Sequence, residues 1–217
     1  MKETAGRVFS AAADNAPLPG CTVSREIYRN AGDYAAYFSL AADTDISAEI
    51  YPYRRLLLVL AGKAEIYGGG ASTAAGEGEM IAVEPAIPTG IRSGEGAVYL
   101  EIGVGRSEDM NKLIKSGEAF KLAELLPYSE GRIVNMDILS GRNMKFVIMS
   151  FAAGTGLSEH AAPGEAVIFA LEGGAVIGYE GREHVIKAGE NFCFAKGGLH
   201  YVKAEQNFKM ALLLTLE

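Results

Sequence analysis

Short apolar runs, separated by polar and turn-forming residues, recur along the whole chain. The clearest runs cover residues 35–40, 56–60, 80–83, 98–102, 146–151, 166–171, 192–195 and 210–216. Each has the length of a β-strand, and Gly, Pro, Asn and Asp fill the intervals between them. This rhythm is typical of β-sandwiches and β-barrels, so the sequence predicts an all-β fold.

Two segments between residues 105 and 126 have a helical pattern instead. Ser107 is a candidate N-cap, and the acids Glu108 and Asp109 follow it, as at many helix starts. Residues 120–126 form a second candidate helix that ends before Pro127. We therefore expect a short helical connection that packs over barrel edges.

An internal repeat organises the chain. Residues 60–66, LAGKAEI, correspond to residues 171–177, LEGGAVI, at an offset of 111 positions. The same offset places Gly70 on Gly181 and Gly78 on Gly189, and no gap is needed from residue 37 to residue 102. Since glycines of tight turns stay in register over this distance, we interpret the chain as a duplication. The predicted domains are residues 1–104, a connection at 105–126, and residues 127–217.

Composition and charge narrow the functional classes. The 217 residues are 49% hydrophobic and 22% charged, which is ordinary for a globular protein. The formal net charge of −7 and the scattered basic residues argue against nucleic-acid binding, which needs clustered Lys and Arg. We therefore expect no nucleic-acid partner.

Neither a membrane nor an oxidising compartment is indicated. No apolar run approaches the roughly 18 residues of a membrane span, and the N-terminus lacks the long apolar stretch of a signal peptide. The two cysteines, Cys21 and Cys193, lie far apart and outside any C-x-x-C motif. The expectation is a cytoplasmic protein with no membrane partner and no disulfide framework.

The second copy carries two motifs that resemble those of the cupin superfamily. The first runs from Gly156 through His160 into an apolar strand that ends at Gly173. The second begins at Gly189 and ends at His200. This resemblance implies a bicupin, which is two tandem double-stranded β-helix (jelly-roll) barrels, with the first copy degenerate.

The resemblance also implies a reduced metal site. In metal-binding cupins, two histidines and a carboxylate from the first motif join one histidine from the second. Here the first histidine is His160 and the last is His200, whereas the second histidine falls on Ala162 and the carboxylate on Ala166. The implied cofactor is one divalent transition metal (Zn, Ni, Fe or Mn), held by His160 and His200 with solvent at the other positions.

Other residues of the second copy are candidate ligand contacts. Glu165 lies one residue before the expected carboxylate, and strand alternation would turn it away unless Pro163-Gly164 bends the chain. Phe169 and Tyr179 are candidate lining residues of the barrel mouth. The third histidine, His184, is predicted to lie on the surface.

The first copy has none of these histidines. Glu49 takes the position of His160, Tyr51 that of Ala162, Arg55 that of Ala166 and Thr89 that of His200. An arginine and a glutamate at a barrel mouth indicate an internal ion pair or a grip on an acidic ligand. The alternative is a copy that is kept only for packing.

Three classes of function stay open. The first is a bicupin that binds a small molecule of unknown identity, as a sensor, carrier or accessory protein. The second is an enzyme acting on a small oxygenated substrate, either oxygenase-like with a metal as Lewis acid, or a metal-free isomerase or epimerase with His160 or His200 as base. The third is a structural or interaction protein whose pocket binds nothing. In each case the chain could form a homodimer.

Overall fold

Two compact units make up the protein. The computed structural model describes residues 1–30, 32–105 and 109–216. The N-terminal barrel consists of Ala11–Ser107 and Lys112–Leu122. The C-terminal barrel consists of Met1–Ser10, Glu108–Asn111 and Ala123–Glu217. Each unit contains one curled antiparallel β-sheet, so the predicted all-β fold with two barrels is confirmed.

Strands account for most of the chain. In chain order the elements are β1 (Val8–Phe9), α1 (Ala11–Asp14), β2 (Thr22–Asn30), β3 (Asp33–Leu40), β4 (Thr44–Glu49), β5 (Arg54–Gly68), β6 (Ala71–Gly76), β7 (Glu79–Val83), β8 (Thr89–Ser93), β9 (Ala97–Val104), β10 (Asp109–Met110), β11 (Ala119–Lys121), a 3-10 turn (Leu122–Leu125), β12 (Ile133–Ser140), β13 (Met144–Phe151), β14 (Thr155–Ala161), β15 (Ala166–Tyr179), β16 (Arg182–Lys187), β17 (Asn191–Phe194), β18 (Leu199–Ala204) and β19 (Phe208–Thr215).

The two sheets have the same topology. In the N-terminal barrel the strand order is β11-β7-β5-β9-β3-β2, while β4 pairs with β8, and β6 and β8 pair with β5. In the C-terminal barrel the order is β1-β17-β15-β19-β13-β12-β10, while β14 pairs with β18, and β16 and β18 pair with β15. The long strands β5 and β15 pair with four neighbours each, which lets them bend around their barrel.

The repeat is visible in the strand bounds. β3 and β13 begin and end 111 residues apart, and so do β9 and β19. The bulges recur at the same offset, between Val59 and Ala61 against β9, and between Ala170 and Glu172 against β19. Since a bulge inserts one residue into one strand, its repetition shows that both copies keep the same local irregularities.

The edge strands of the two sheets are exchanged between the repeats. In the C-terminal barrel Val8 of β1 pairs with Phe192, and in the N-terminal barrel Ala119 of β11 pairs with Ile81. Both members of these pairs differ by 111 positions, so β1 and β11 are equivalent, yet each belongs to the unit formed mainly by the other repeat. The compact units therefore have other bounds than the predicted domains, which were residues 1–104 and 127–217 with a connection at 105–126. An added strand satisfies the edge groups of β7 and β17.

The connection contains less helix than the pattern predicts. Ser107 and Glu108 lie outside the described residues, and from Asp109 the chain forms β10, paired with β12, so the first predicted helix is wrong there. In the second segment β11 precedes a 3-10 turn at Leu122–Leu125, where Leu122 is fully buried. Pairing with a sheet edge supplies these residues with backbone hydrogen bonds, whereas a helix of this length would leave most of its N–H and C=O groups without an intrahelical partner. No helix among the described residues has the length and apolar character needed to cross a membrane.

Strand alternation fills the interior of each barrel. The N-terminal core cluster includes Leu57 and Val59 of β5 and Ile91 of β8. The C-terminal core cluster includes Ile168 and Ala170 of β15, and it is richer in aromatic rings. Because side chains alternate across a strand, every second residue contacts the interior on each side of the bulge in β5 and β15, and the bulge shifts the alternation by one residue.

A glycine at the same position of each repeat permits the close approach of two strands. Gly62 and Gly173 both have φ of +71°, a left-handed conformation that favours glycine. A Cβ at Gly173 would lie 2.0 Å from the carbonyl oxygen of Asn207, and one at Gly62 would lie 2.1 Å from that of Gly96. Each of the strands β5 and β15 therefore depends on this glycine for its conformation and for space.

We expect Gly173→Ala to destabilise the protein more than Gly181→Ala. Gly181 also has a positive φ, of +76°, but a Cβ there would meet nothing within 4 Å. Left-handed strain alone costs about 1–2 kcal/mol, and overlap with the Asn207 backbone adds about 1–3 kcal/mol to Gly173→Ala. Urea unfolding midpoints of the two variants measure the difference, and equal midpoints would contradict the close approach.

Candidate functional site

The two predicted site histidines of the C-terminal barrel lie side by side. His160 of β14 and His200 of β18 are Cα partners across the antiparallel pair, just past a bulge between Leu157 and His160. Their ring centroids are 4.2 Å apart, and the ring planes are inclined by 51°. Residues separated by 40 positions in sequence thus form one imidazole pair.

Both imidazoles are oriented by the same kind of hydrogen bond. Nδ1 of His160 lies 2.8 Å from the carbonyl oxygen of Ser158, and Nδ1 of His200 lies 3.1 Å from that of Gly198. A carbonyl oxygen can only accept, so each Nδ1 carries the proton and donates. The Nε2 lone pair of each ring is then available to a ligand, the arrangement that second-shell carbonyls impose on metal-binding histidines.

Burial distinguishes the two rings. His160 is exposed, whereas the side chain of His200 is buried. Burial lowers the pKa of His200 and the neighbouring His160 lowers it further, against the opposing effect of the Gly198 carbonyl. His200 is therefore neutral at pH 7, and its Nε2 acts as an acceptor.

Aromatic side chains form the wall beneath the pair. The ring of Phe194 lies 4.1 Å from that of His200 with an interplanar angle of 30°, and Phe192 lies 5.2 Å from Phe194. Tyr179 is the register partner of His200, and its ring contacts both phenylalanines. The pair therefore lies between solvent and an aromatic core, as a site for a partly apolar ligand would.

The remaining positions of the expected metal site carry no donor. Ala162 and Ala166 are both buried and belong to the apolar core cluster. Among residues 1–30, 32–105 and 109–216, no group of three or more His, Cys, Asp and Glu side chains is arranged to hold a metal ion. Two imidazoles leave at least two positions of a tetrahedral zinc ion unfilled. The residues present thus do not fit a tightly held resident metal.

The other candidates of the C-terminal barrel make separate contacts. The Glu165 carboxylate contacts the amino group of Met1, and its side chain is 40% exposed. Phe169 is buried between Ile168 and Ala170 along β15, but only those two neighbours belong to the interior cluster, so Phe169 lies on the opposite face of the sheet. The third histidine, His184, is half-buried, with its ring 5.0 Å from that of Phe192.

The equivalent place in the N-terminal barrel holds a different chemistry. Glu49 and Thr89 are Cα partners, as His160 and His200 are in the other copy. The Tyr51 hydroxyl donates to the Glu49 carboxylate, and the Arg55 guanidinium lies 4.2 Å from the centre of the Tyr51 ring. A cation over a tyrosine face is favourable, so these side chains hold one another in place.

The buried ion pair of this barrel involves a residue that the motif comparison missed. Arg55 pairs with Glu101 of β9, at 3.4 Å, rather than with Glu49, and both side chains are 4% exposed. The Tyr34 hydroxyl donates to the same carboxylate. The available signal was the single charge within the apolar run Val98-Tyr99-Leu100-Glu101-Ile102, which a buried strand tolerates only with a partner.

Burial shifts the ionisation of this group. It raises the pKa of Glu101, while Arg55 opposes the shift. The pKa of Tyr34 is raised by burial and by the adjacent Glu101 carboxylate. Burial and the hydrogen bond to Glu49 raise the pKa of Tyr51 to about 12. The phenols therefore stay protonated and act as donors.

Comparison with known proteins agrees with the fold. A search among curated proteins found no match. A cupin 2 conserved barrel domain protein from Leptotrichia buccalis is 28% identical, with a TM-score of 0.87, over 99% of this chain and 98% of its own. Salicylate 1,2-dioxygenase from Pseudoaminobacter salicylatoxidans, in a structure of its adducts with gentisate, is 11% identical with a TM-score of 0.66, over 96% and 80% of the two chains.

The sequence match lies in the half of the chain that carries the histidine pair. Residues 147–216 match the model of the cupin domain family, Cupin_2. These residues contain the strands that carry His160 and His200 and the aromatic wall beneath them. With the topology of the two sheets and the likeness to a solved cupin barrel protein, the conclusion is that this protein has the cupin fold and that its residues 147–216 match the cupin domain family.

Proposed function

We propose that the protein is a bicupin that binds a small organic molecule at the histidine pair of its C-terminal barrel. In this proposal the N-terminal copy is a degenerate cupin without metal ligands. The single observation that carries the proposal is the pairing of two imidazoles whose Nδ1 atoms are both held by backbone carbonyls. Such fixed acceptors at a barrel mouth favour a ligand that approaches with a hydroxyl or another hydrogen-bond donor.

The surroundings of the pair support a ligand with an apolar or aromatic body. Phe194 already covers one side of His200, and the Tyr179 ring lies against Phe192 and Phe194. A ligand ring that packs beside these groups would lose contact with water, and its hydroxyl would donate to an Nε2 atom. Aromatic alcohols and phenols match both requirements.

A metal ion has a secondary place in this proposal. The two imidazoles would contribute two ligands, and water or the bound molecule would have to supply the others. Such an ion would bind weakly and exchange readily. The cupin domain match makes the reduced metal site a reasonable candidate, with Zn, Ni, Fe and Mn as the ions to test.

An enzyme is the second candidate function. The observation in its favour is the lowered pKa of His200, which keeps this imidazole unprotonated and able to accept a proton from a bound substrate. A metal-free isomerase or epimerase would use His200 in this way, with exposed His160 beside it. Turnover of a hydroxy-carbonyl compound that disappears in His200→Gln would favour this candidate over simple binding.

Ligand binding is expected to depend on the pair and not on the third histidine. In a thermal-shift screen of phenols and aromatic alcohols, a ligand at 100 times its Kd stabilises the protein by about 2.7 kcal/mol. His160→Ala and His200→Ala should abolish this stabilisation, whereas His184→Ala in the same barrel should retain it. Equal shifts in all three variants, or none in the wild type, would overturn the proposed function.

Added metal is expected to bind weakly. Calorimetric titration of Zn²⁺ or Ni²⁺ should give a Kd in the micromolar range or weaker, because two imidazoles provide only part of a coordination shell. His160→Ala or His200→Ala should remove this binding, and His184→Ala should not. A stoichiometric metal that survives purification and dialysis against a chelator would show that further protein ligands take part.

The pH dependence follows from the lowered pKa of His200. An unfolded histidine takes up its proton near pH 6.5, whereas folded His200 needs a lower pH. The free energy of unfolding should therefore fall as the pH drops from about 6.5 towards the folded pKa, because protons then favour the unfolded chain. An NMR titration of the imidazole protons, assigned with His200→Gln, measures the midpoint, and a value at or above 6.5 would contradict the burial effect.

A further inference from the structure

An open groove crosses the outer face of the N-terminal barrel. Its volume is about 890 Å³, which is within the usual size of a small-molecule site. The strands that carry it are β4, β8, β5 and β6, which pair with one another in that order. Its charged lining residues all belong to the N-terminal unit and are Asp43, Asp45, Lys63, Glu65, Arg92 and Glu95.

Strand alternation places these charges on the outside of the barrel. Ala64 and Ile66 of β5 belong to the core cluster, so Glu65 between them faces outward. Arg92 of β8 is the register partner of Glu65 on one side and of Asp45 in β4 on the other. Neighbouring strands lie about 4.8 Å apart, so the backbones of Asp45 and Glu65 are about 10 Å apart with a guanidinium between them.

The side chains of this row hold one another in place. The Glu65 carboxylate accepts two hydrogen bonds from the Arg92 guanidinium, at 2.9 and 2.8 Å. The same guanidinium lies 5.2 Å from the centre of the Tyr67 ring, and the Tyr67 hydroxyl donates to Asp45 at 3.4 Å. Bidentate pairing and a cation beside an aromatic ring are both favourable, so one wall of the groove is ordered before any ligand arrives.

The groove keeps an excess of negative charge. Its lining carries four carboxylates and two cations, of which Glu65 and Arg92 offset one another. Among the described residues Asp43 and Glu95 have no ion-pair partner, so Lys63 alone opposes these two carboxylates and that of Asp45. The chain as a whole has a formal net charge of −7, which favours the approach of cations. Charge complementarity therefore selects a cationic ligand.

The carboxylates do not converge on one point. In the part of the chain that the structure describes, no group of three or more His, Cys, Asp and Glu side chains is arranged to hold a metal ion. Asp43 precedes Asp45 by two residues, about 7 Å along the chain, and Glu65 lies two strands away. Since a metal ion needs oxygen ligands gathered around it, this spacing suits a cation whose charges are themselves spaced.

The acidic lining is specific to the first copy. At the repeat offset of 111, the positions of its four acids carry neutral residues in the second copy, namely Gly154, Gly156, Val176 and Gln206. Of the remaining equivalent positions one carries an acid, Glu205, and one a base, Lys203. The strand pairing is the same in both copies, so the fold does not require the acids. Packing alone thus does not account for them.

We infer that this groove binds an extended organic cation with two or more ammonium groups, as in a linear polyamine. The ammonium groups donate to the carboxylates of Asp43, Asp45 and Glu95, and the hydrocarbon chain between them packs along Tyr67. The inference concerns the outer face of the N-terminal barrel and is independent of the function proposed for the histidine pair.

Titrations of the full chain followed by amide NMR test the ligand class. The probes are hexane-1,6-diamine, hexane-1,6-diol and adipate, which share a six-carbon chain and differ in the charge of their ends, together with spermidine. The diamine should bind at least tenfold more tightly than the diol, and spermidine more tightly still. Added sodium chloride should weaken both, because salt screens exposed charges. Equal affinity for diamine and diol, tightest binding of adipate, or no binding of spermidine would overturn the inference.

A pair of double variants separates the groove from the net charge of the chain. Asp45→Asn with Glu95→Gln removes two groove carboxylates with little change of shape, and should lower the affinity for spermidine at least fivefold. Glu183→Gln with Glu205→Gln removes two charges from exposed positions of the C-terminal barrel, and should leave the affinity unchanged. An equal loss in both double variants would show attraction by net charge alone and would contradict a groove site.

The tyrosine wall has a matched control in the other barrel. The Tyr67 ring lies over Gly90, where a Cβ would meet it at 2.3 Å, and the Tyr201 ring lies over Gly178, where a Cβ would meet it at 2.1 Å. Tyr67→Ala should weaken spermidine binding at least threefold and Tyr201→Ala should not, with circular dichroism to verify both folds. An unchanged affinity in Tyr67→Ala, or the same loss in both variants, would contradict the inference.

The position of the bound probe distinguishes this inference from the function proposed for the histidine pair. Spermidine should shift amide signals of residues 43–45, 63–67 and 92–95, and His160→Ala should bind it as the wild type does. Shifts centred on His160 and His200, lost in His160→Ala, would overturn the groove site. Failure of phenols to bind at the histidine pair would leave spermidine binding intact, so the two proposals fail separately.

Discussion

The antiparallel pairing of β14 with β18 is the constraint on which the candidate site depends. His160 and His200 face one another only because a bulge between Leu157 and His160 sets the register of this pair. A shift of one residue would send either imidazole to the other face of the sheet. The same bulge precedes Glu49 in the N-terminal barrel, where Thr89 is its partner. The fold thus presents one position per barrel, and the side chains there decide the chemistry.

The two copies use this common frame in opposite ways. The C-terminal barrel is packed with aromatic rings up to His200, so its polar groups lie at the mouth, where His160 is exposed. The N-terminal barrel draws its polar groups inward, with Arg55 and Glu101 buried as an ion pair. A buried ion pair is weak evidence of stability, because desolvation offsets much of its attraction.

The two repeats exchange their edge strands, so the compact units do not coincide with the repeats. β1 and β11 are equivalent by sequence, and each lies in the unit built mainly from the other repeat. Short strands at these edges cover backbone groups that would otherwise pair with another chain. The arrangement explains why the apolar runs alone did not indicate where the units divide. A two-residue strand such as Val8–Phe9 has too few residues to show alternation.

The sequence by itself predicted the repeat and the strand content, because glycines in register and apolar runs of strand length can be read directly along the chain. It indicated His160 and His200 as site candidates only through the resemblance of their motifs to those of cupins. It could not determine that Phe169 faces away from the interior or that Arg55 pairs with Glu101, because these depend on the pairing of strands distant in sequence. The predicted helix after Ser107 was wrong from Asp109 onwards, since pairing with β12 outweighs the capping signal. The different packing of the two barrels was likewise decided only by tertiary structure, where Phe192 and Phe194 fill the C-terminal core and Ile81 and Val83 lie in the N-terminal core.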